Sequence, residues 1–202
     1  MKAKIINTKA QGIPQSRPRF YLVGIHKKAL VGKFRFPAAI EPEGVDKFLD
    51  GPNVAERVQR SDGKTSAAAY NAALAKFAEK NVDSTKETCL LDVGATPRFS
   101  SAIVGCCPCL TASRAKASGH FVTTRSGMMT LSEICRFQGL PQNRYTCARD
   151  KVNMSHAKFG FAVGNAMSVN VLERLFPKVL RAANLVHAKK IQCPTTFSRL
   201  LV

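Results

Sequence analysis

Hydrophobic positions are grouped in short runs separated by polar and turn-forming residues. Ala3–Thr8 (AKIINT) predicts a short strand. A connection rich in turn residues follows, with Gly12, Pro14 and Pro18. Arg19–Ile25 (RFYLVGI) predicts a second strand. Its continuous apolar run suits a strand buried on both faces, in a parallel or mixed sheet covered by helices. Beyond residue 31, Pro37, Pro42, Gly44 and Pro52 punctuate the chain around a short helical stretch at Val45–Leu49. Thr65–Lys80 predicts a helix: Thr65 or Ser66 can cap it, and Tyr70, Leu74 and Phe77 form a stripe. Thr88–Val93 reads as a strand ending at Gly94, and 103–124 as strand and loop. Thr130–Phe137 predicts a short helix stopped by Gly139 and Pro141. Residues 142–157 read as a loop. Ala166–Phe176 reads as a helix that Pro177 kinks or restarts, and Lys178–His187 continues the pattern. The last residues show no clear periodicity, and there is no internal repeat.

Charge adds the first functional constraint. The 202 residues carry 31 Lys+Arg against 13 Asp+Glu, a net charge of +18. Such a surplus calls for an anionic partner, most often nucleic acid. The basic residues are spread along the chain, which favours a charged face over a disordered arm. No apolar run approaches the ~20 residues of a membrane helix, and the apolar stretch at the start is too short for a signal peptide. These features lead to the expectation of an intracellular chain, nuclear if eukaryotic, with no membrane partner.

Seven cysteines, an odd number, argue against a disulfide framework. Cys106-Cys107-Pro108-Cys109 contains a C-x-x-C. Neither Cys135 and Cys147 nor His26, His120, His156 and His187 form the second pair that a zinc site needs. The expectation is buried free thiols and no metal.

Three blocks carry a more specific signal. They are Gln15-Ser16-Arg17-Pro18-Arg19, Met129–Pro141 (MTLSEICRFQGLP), and Gly164–Val171 (GNAMSVNV). In this order, with a variable stretch between the first two, the chain resembles the eighth, ninth and tenth motifs of DNA cytosine-5 methyltransferases. Ile5-Ile6-Asn7 and Gly12-Ile13-Pro14 extend the first block, and Pro108–Ala112 (PCLTA) leads into the second. On these motifs the resemblance covers only the C-terminal half of such an enzyme.

That resemblance implies particular roles. Arg17 and Arg19 would position the target base and its phosphates, with Gln15 and Thr111 as DNA contacts. A guanidinium supplies a planar, permanently charged donor fork for this work. Glu133 and Arg136, three apart on one helical face, would pair and organise the recognition region. The family's arginine six residues before that glutamate is replaced by Gly127, with Arg125 two positions away. Asn165 and the backbone at Met167 would close the pocket for S-adenosyl-L-methionine, helped by helix N–H donors. Ala162 stands where the family commonly has glutamine. The resemblance carries no residue in the central stretch, where Arg57, Arg60, Lys64 and Arg98 could touch phosphates but more readily form part of a solvated face.

The implied fold is α/β. Residues 1–27 and 150–202 would be part of a Rossmann-like methyltransferase domain, and 28–149 an inserted, irregular α+β target-recognition domain. With its first strands missing, the sheet would have an exposed edge. No Gly-rich cofactor loop, Pro-Cys-Gln nucleophile or Glu-Asn-Val block is present in the sequence. Pro108-Cys109-Leu110 imitates the nucleophile but lies in the lead-in to the ninth motif. About 30 residues follow the tenth motif, too few for a permuted nucleophile half. The expected chain is therefore a fragment or a split subunit, inactive alone, with double-stranded DNA and a complementary N-terminal half as partners. Alternatives are a catalytically inactive DNA-binding module or regulator, and an unrelated basic nucleic-acid-binding protein.

Overall fold

A computed structural model describes residues 1–51, 64–98, 100–117, 119–141 and 149–186. Parts of the predicted 142–157 loop, the final residues, Arg57, Arg60, His187, Cys147 and Cys193 lie outside the described residues, as do the side chains of Lys64, Thr65 and Ser66.

β1 (Lys2–Asn7) and β2 (Pro18–Val23) form an antiparallel pair, with Lys2 opposite Val23 and Asn7 opposite Pro18. The connection itself sets this direction. Asn7 Oδ1 accepts from the backbone N–H of Lys9 and of Arg17, and Thr8 N–H donates to Arg17 O. This differs from the parallel or mixed sheet that the apolar run predicts. Among the described residues no third strand joins the pair. Among the described residues one face is covered: Ile6 and Tyr21 are buried with Phe34 against α5 (Val169–Ala182) through Val171, Leu175 and Ala182. The other face leaves Ile5, Phe20 and Leu22 67%, 68% and 60% exposed.

A second sheet runs β4 (Ala102–Val104), β3 (Cys89–Leu91), β5 (Phe121–Val122) and β6 (Gly127–Met128), all neighbours antiparallel. Strand period two divides β3 between two cores. Cys89 and Leu91 meet α1 (Lys64–Ala78) through Ala73 and Phe77, and Tyr70 sits edge-on to Phe121 at 5.1 Å. Leu90 faces the larger core, where it joins Ile13, Phe48, Cys107, Leu110, Ile134, Phe137, Phe159 and Val163. The Phe48 and Phe137 rings stack there at 5.3 Å.

α3 (Leu131–Phe137) begins with a capping box. Thr130 Oγ1 accepts from Glu133 N–H, and Glu133 reaches back to Thr130 N–H. Gly139, at φ +75°, ends it as the sequence predicts. The predicted 142–157 loop gives way at its last two residues to α4 (His156–Asn165), a helix the sequence pattern does not signal, which lies against α2 (Ala112–Lys116). Glycine makes that approach possible. A Cβ on Gly160 would overlap the carbonyl of Ala115, and one on Gly164 would lie 2.5 Å from Thr111 O. α5 continues through Pro177, where the missing N–H removes one ladder bond. The fold is therefore mixed α/β with small sheets. Among the described residues no helix is long and apolar enough to cross a membrane.

Candidate functional site

The loop between β1 and β2 penetrates the larger core. Gln15 is fully buried, and its Nε2 donates to Phe137 O at 3.2 Å. Cys107 N–H donates to Pro14 O, and Ser16 N–H to Cys107 O. The first block is thus stitched to the lead-in of the second before Arg17 is reached.

Arg17 is 4% exposed and acts as a clamp. Its Nη1 donates to Leu110 O at 2.5 Å, and its Nη2 to Gly164 O at 3.0 Å and Ala166 O at 2.8 Å. One guanidinium therefore ties the first sequence block to the lead-in of the second and to the third. Burial lowers its pKa, with the neighbouring Cys109 opposing. Arg17 and Arg19 also converge on Cys109 Sγ, through Nη1 at 3.7 Å and Nη2 at 3.4 Å respectively. Arg19 is exposed, and its Nη1 holds Pro18 O.

The other predicted positions lie around this clamp. Thr111 is exposed and caps α2: its Oγ1 accepts from Arg114 N–H and shares a 3.1 Å bond with Ser113 Oγ. Asn165, at the end of α4, is exposed, and so is Met167, just before α5. Between Met167 and α5, the Ser168 hydroxyl turns inward to Thr8 Oγ1 at 2.7 Å. It leaves the first turn of α5 without a side-chain cap. Asn170 Nδ2 donates to Thr8 O and Gln11 O, and Arg174 to Gln11 Oε1. The third block is thereby fixed to the loop that carries the first.

A second polar cluster sits behind the site. Glu133 is fully buried and pairs with Arg125, not with Arg136. Arg125 binds both carboxylate oxygens and also Met128 O. Arg136 instead pairs with Asp50 and donates to Phe48 O at 2.9 Å. Asp50 closes the network: its N–H donates to Glu133 Oε1, and its Oδ2 accepts from Thr130 Oγ1. The expected helical-face pair gives way because each side chain finds a fitted partner from another segment. Arg125 supplies the charge that Gly127 lacks. Sequence spacing alone could not identify Asp50, which lies 83 residues from Glu133.

Cys89, Cys107 and Cys135 are buried, while Cys106 and Cys109 are half-buried; all five are free thiols. Burial raises the pKa of Cys89, Cys106 and Cys107, and pushes that of Cys135 to about 12. Among the described residues no three His, Cys, Asp or Glu side chains come together as a metal site.

A model of the C-5 cytosine-specific DNA methylase family matches residues 1–181. No curated protein matches the chain. The match corrects the confinement of the resemblance to a C-terminal half: it starts at residue 1 and continues through the central stretch. The packing agrees with that continuity, because Val45, Phe48 and Leu90 share one core with Ile13, Phe159 and Val163.

Proposed function

The chain belongs to the C-5 cytosine-specific DNA methylase family, and from that premise we propose that it binds duplex DNA and forms one wall of a methyl-transfer site. The supporting observation is the Arg17 clamp, which gathers the carbonyls of Leu110, Gly164 and Ala166 on one side chain. In this reading Arg17 is a positioning residue, because its fork is already engaged. The exposed Arg19 reaches the target base or its flanking phosphate, where its donors stabilise developing charge. Thr111 adds a phosphate contact at the start of α2. Gln15 holds the loop in register for DNA, and the central stretch, 28–149, serves target recognition. Residues 1–27 and 150–202 serve the catalytic side.

The residues around Met167 fit the amino-acid end of S-adenosylmethionine. Asn165 presents an exposed amide, and the inward turn of Ser168 leaves the first turn of α5 for another acceptor. That cofactor supplies an electrophilic methyl group when bound. The chain's own part is to hold the carboxylate or amine at Asn165 and the backbone at Met167.

The reaction begins with a thiolate attack on C6 of an extruded cytosine. The sequence has no Pro-Cys-Gln loop to supply it. We infer that these 202 residues alone do not transfer methyl groups, and that the nucleophile comes from a further polypeptide segment. A radiolabelled methyl-transfer assay on mixed-sequence duplex tests this, with and without a relative's Pro-Cys-Gln segment. Incorporation only with that segment, reduced by Arg19→Ala or Asn165→Ala, supports the reading. DNA binding with no incorporation in either case moves the assignment to a catalytically inactive DNA-binding module. Incorporation by the chain alone overturns the inferred dependence.

A further inference from the structure

Basic residues are spread along the chain, but acidic ones are not. Residues 1–40 hold nine Lys+Arg and no Asp+Glu, and residues 151–202 hold eight against one. Residues 41–150 hold fourteen against twelve, so +16 of the net +18 lies outside the central stretch. Close like charges repel and lower stability, so this surplus calls for an anion at the surface that carries it. The fold gathers part of it at one place. Past β2 the chain crosses the C-terminal end of α5, where Val31 N–H donates to Ala182 O at 2.8 Å. Phe34 anchors the crossing in the core with Leu175 and Ala182, and Phe36 packs edge-on to it at 5.0 Å. Lys2 Nζ donates to Phe34 O at 2.8 Å and joins the start of β1 to this segment. Lys27, Lys28, Lys33 and Arg35 stand exposed on it, as does Lys178, one turn before Ala182 on the same side of α5. Among the described residues none of these five forms an ion pair. In the central stretch, by contrast, Lys47 pairs with Glu43 and Lys86 with Asp83.

We propose that this end of α5 is a second contact surface for duplex DNA, which binds the phosphate backbone without reading sequence. It deepens the proposed function and rests on its duplex-binding part alone; neither Arg19 nor methyl transfer enters. α5 keeps the two contacts apart. Its N-terminal end is tied to the Arg17 loop through Ser168 and Thr8, and its C-terminal end to Val31. A helix from Val169 to Ala182, rising 1.5 Å per residue, sets them about 20 Å apart. One contact can therefore hold DNA while the other is empty. Ammonium and guanidinium groups pair with phosphate oxygens and release the counterions condensed on them. A lipid surface is the poorer partner. Leu30 and Val31 are the exposed large apolar residues of this segment, and together they offer less than one acyl chain, which alone anchors only marginally.

The test measures binding of the full chain to a cytosine-free duplex, poly(dA)·poly(dT), at several salt concentrations. No target base is present, so the backbone contacts are read by themselves. Lys27→Gln with Lys28→Gln and Lys33→Gln should flatten the slope of log affinity against log salt by about 2–3, because each phosphate contact contributes about 0.9. All three side chains are exposed, so the melting temperature should hold. A control removes the same charge from the central stretch, Lys47→Gln with Lys80→Gln and Lys86→Gln, and should move the slope by less than about 1. Arg19→Gln should add its own change independently of the first triple variant, as distant sites do. A slope unmoved by the first triple variant overturns the proposal. So does equal flattening by both, which would assign binding to net charge, or tighter binding to phosphatidylserine vesicles than to duplex. Loss of the slope change with methyl transfer intact discards this surface and keeps the catalytic reading; the reverse result keeps the surface.

Discussion

At the scale of single residues, the consequences follow from donor geometry and burial. A lysine at position 17 has one ammonium and cannot replace a fork that spans Leu110 O, Gly164 O and Ala166 O. Arg17→Lys should therefore destabilise the chain by about 2–4 kcal/mol, seen as a lower urea midpoint. His120 gives a pH-dependent case. It is fully buried, with Nε2 toward Pro108 O at 3.2 Å. Because a carbonyl only accepts, Nε2 carries the proton in the neutral ring. Burial lowers its pKa to about 4, outweighing the opposite pull of Asp92. The unfolded ring binds a proton near pH 6.5, whereas the folded ring resists until about pH 4, so stability falls as pH drops through that interval. The loss is on the order of 3 kcal/mol once the folded pKa is passed. His120→Gln should flatten the change in urea midpoint between about pH 7 and pH 5; an unchanged slope would assign it to other groups. The arginine motif was legible in sequence as a chemical signal. Its partners were not: carbonyl acceptors leave no residue-type signature, and Leu110 and Gly164 lie 93 and 147 residues away.

At the scale of elements, legibility follows the strength of local preference. Ala-rich α1 and the capped α3 are visible because propensity and end signals agree with the fold. α4, most of which lies beyond the predicted 142–157 loop, carries no clear helix signal because Gly160 lowers its local helix propensity and Gly164 opens a turn-like Gly-Asn. Its formation depends on contact with α2, which no local pattern reports. That contact is directly testable. The β-carbon introduced by Gly160→Ala meets the backbone of Ala115, which cannot swing away like a side chain. Although alanine is the better helix former, the variant should lose about 2–3 kcal/mol and melt earlier. An unchanged or higher melting temperature would show that the two helices separate at little cost. The apolar run in β2 is a different failure of legibility. It correctly signals a strand, but composition alone cannot say whether its second face has a covering element in the same chain.

At the scale of the whole molecule, charge and uncovered apolar surface make separate demands. The net +18 predicts duplex affinity that falls steeply with added salt, through release of phosphate counterions. A titration at several ionic strengths measures that slope; salt-independent binding would remove nucleic acid as the reason for the charge. The hairpin makes the other demand. Ile5 stands opposite Phe20, and Ala3 opposite Leu22, so these residues share the face that α5 does not cover. Fully burying one large apolar side chain is worth about 1.5–3 kcal/mol, so this face favours association. If the nucleophile-bearing segment of the proposed function supplies the covering surface, loss of this face should disable it. Ile5→Thr with Phe20→Thr should leave the inward pair Ile6 and Tyr21 in place, because strand neighbours point to opposite faces. The isolated double variant should bind less of a hydrophobic dye and aggregate less than the parent chain. It should also lose the methyl transfer gained with a relative's Pro-Cys-Gln segment, while retaining salt-sensitive DNA binding. If dye binding falls but transfer with that segment is unaffected, the nucleophile-bearing segment docks elsewhere on the molecule.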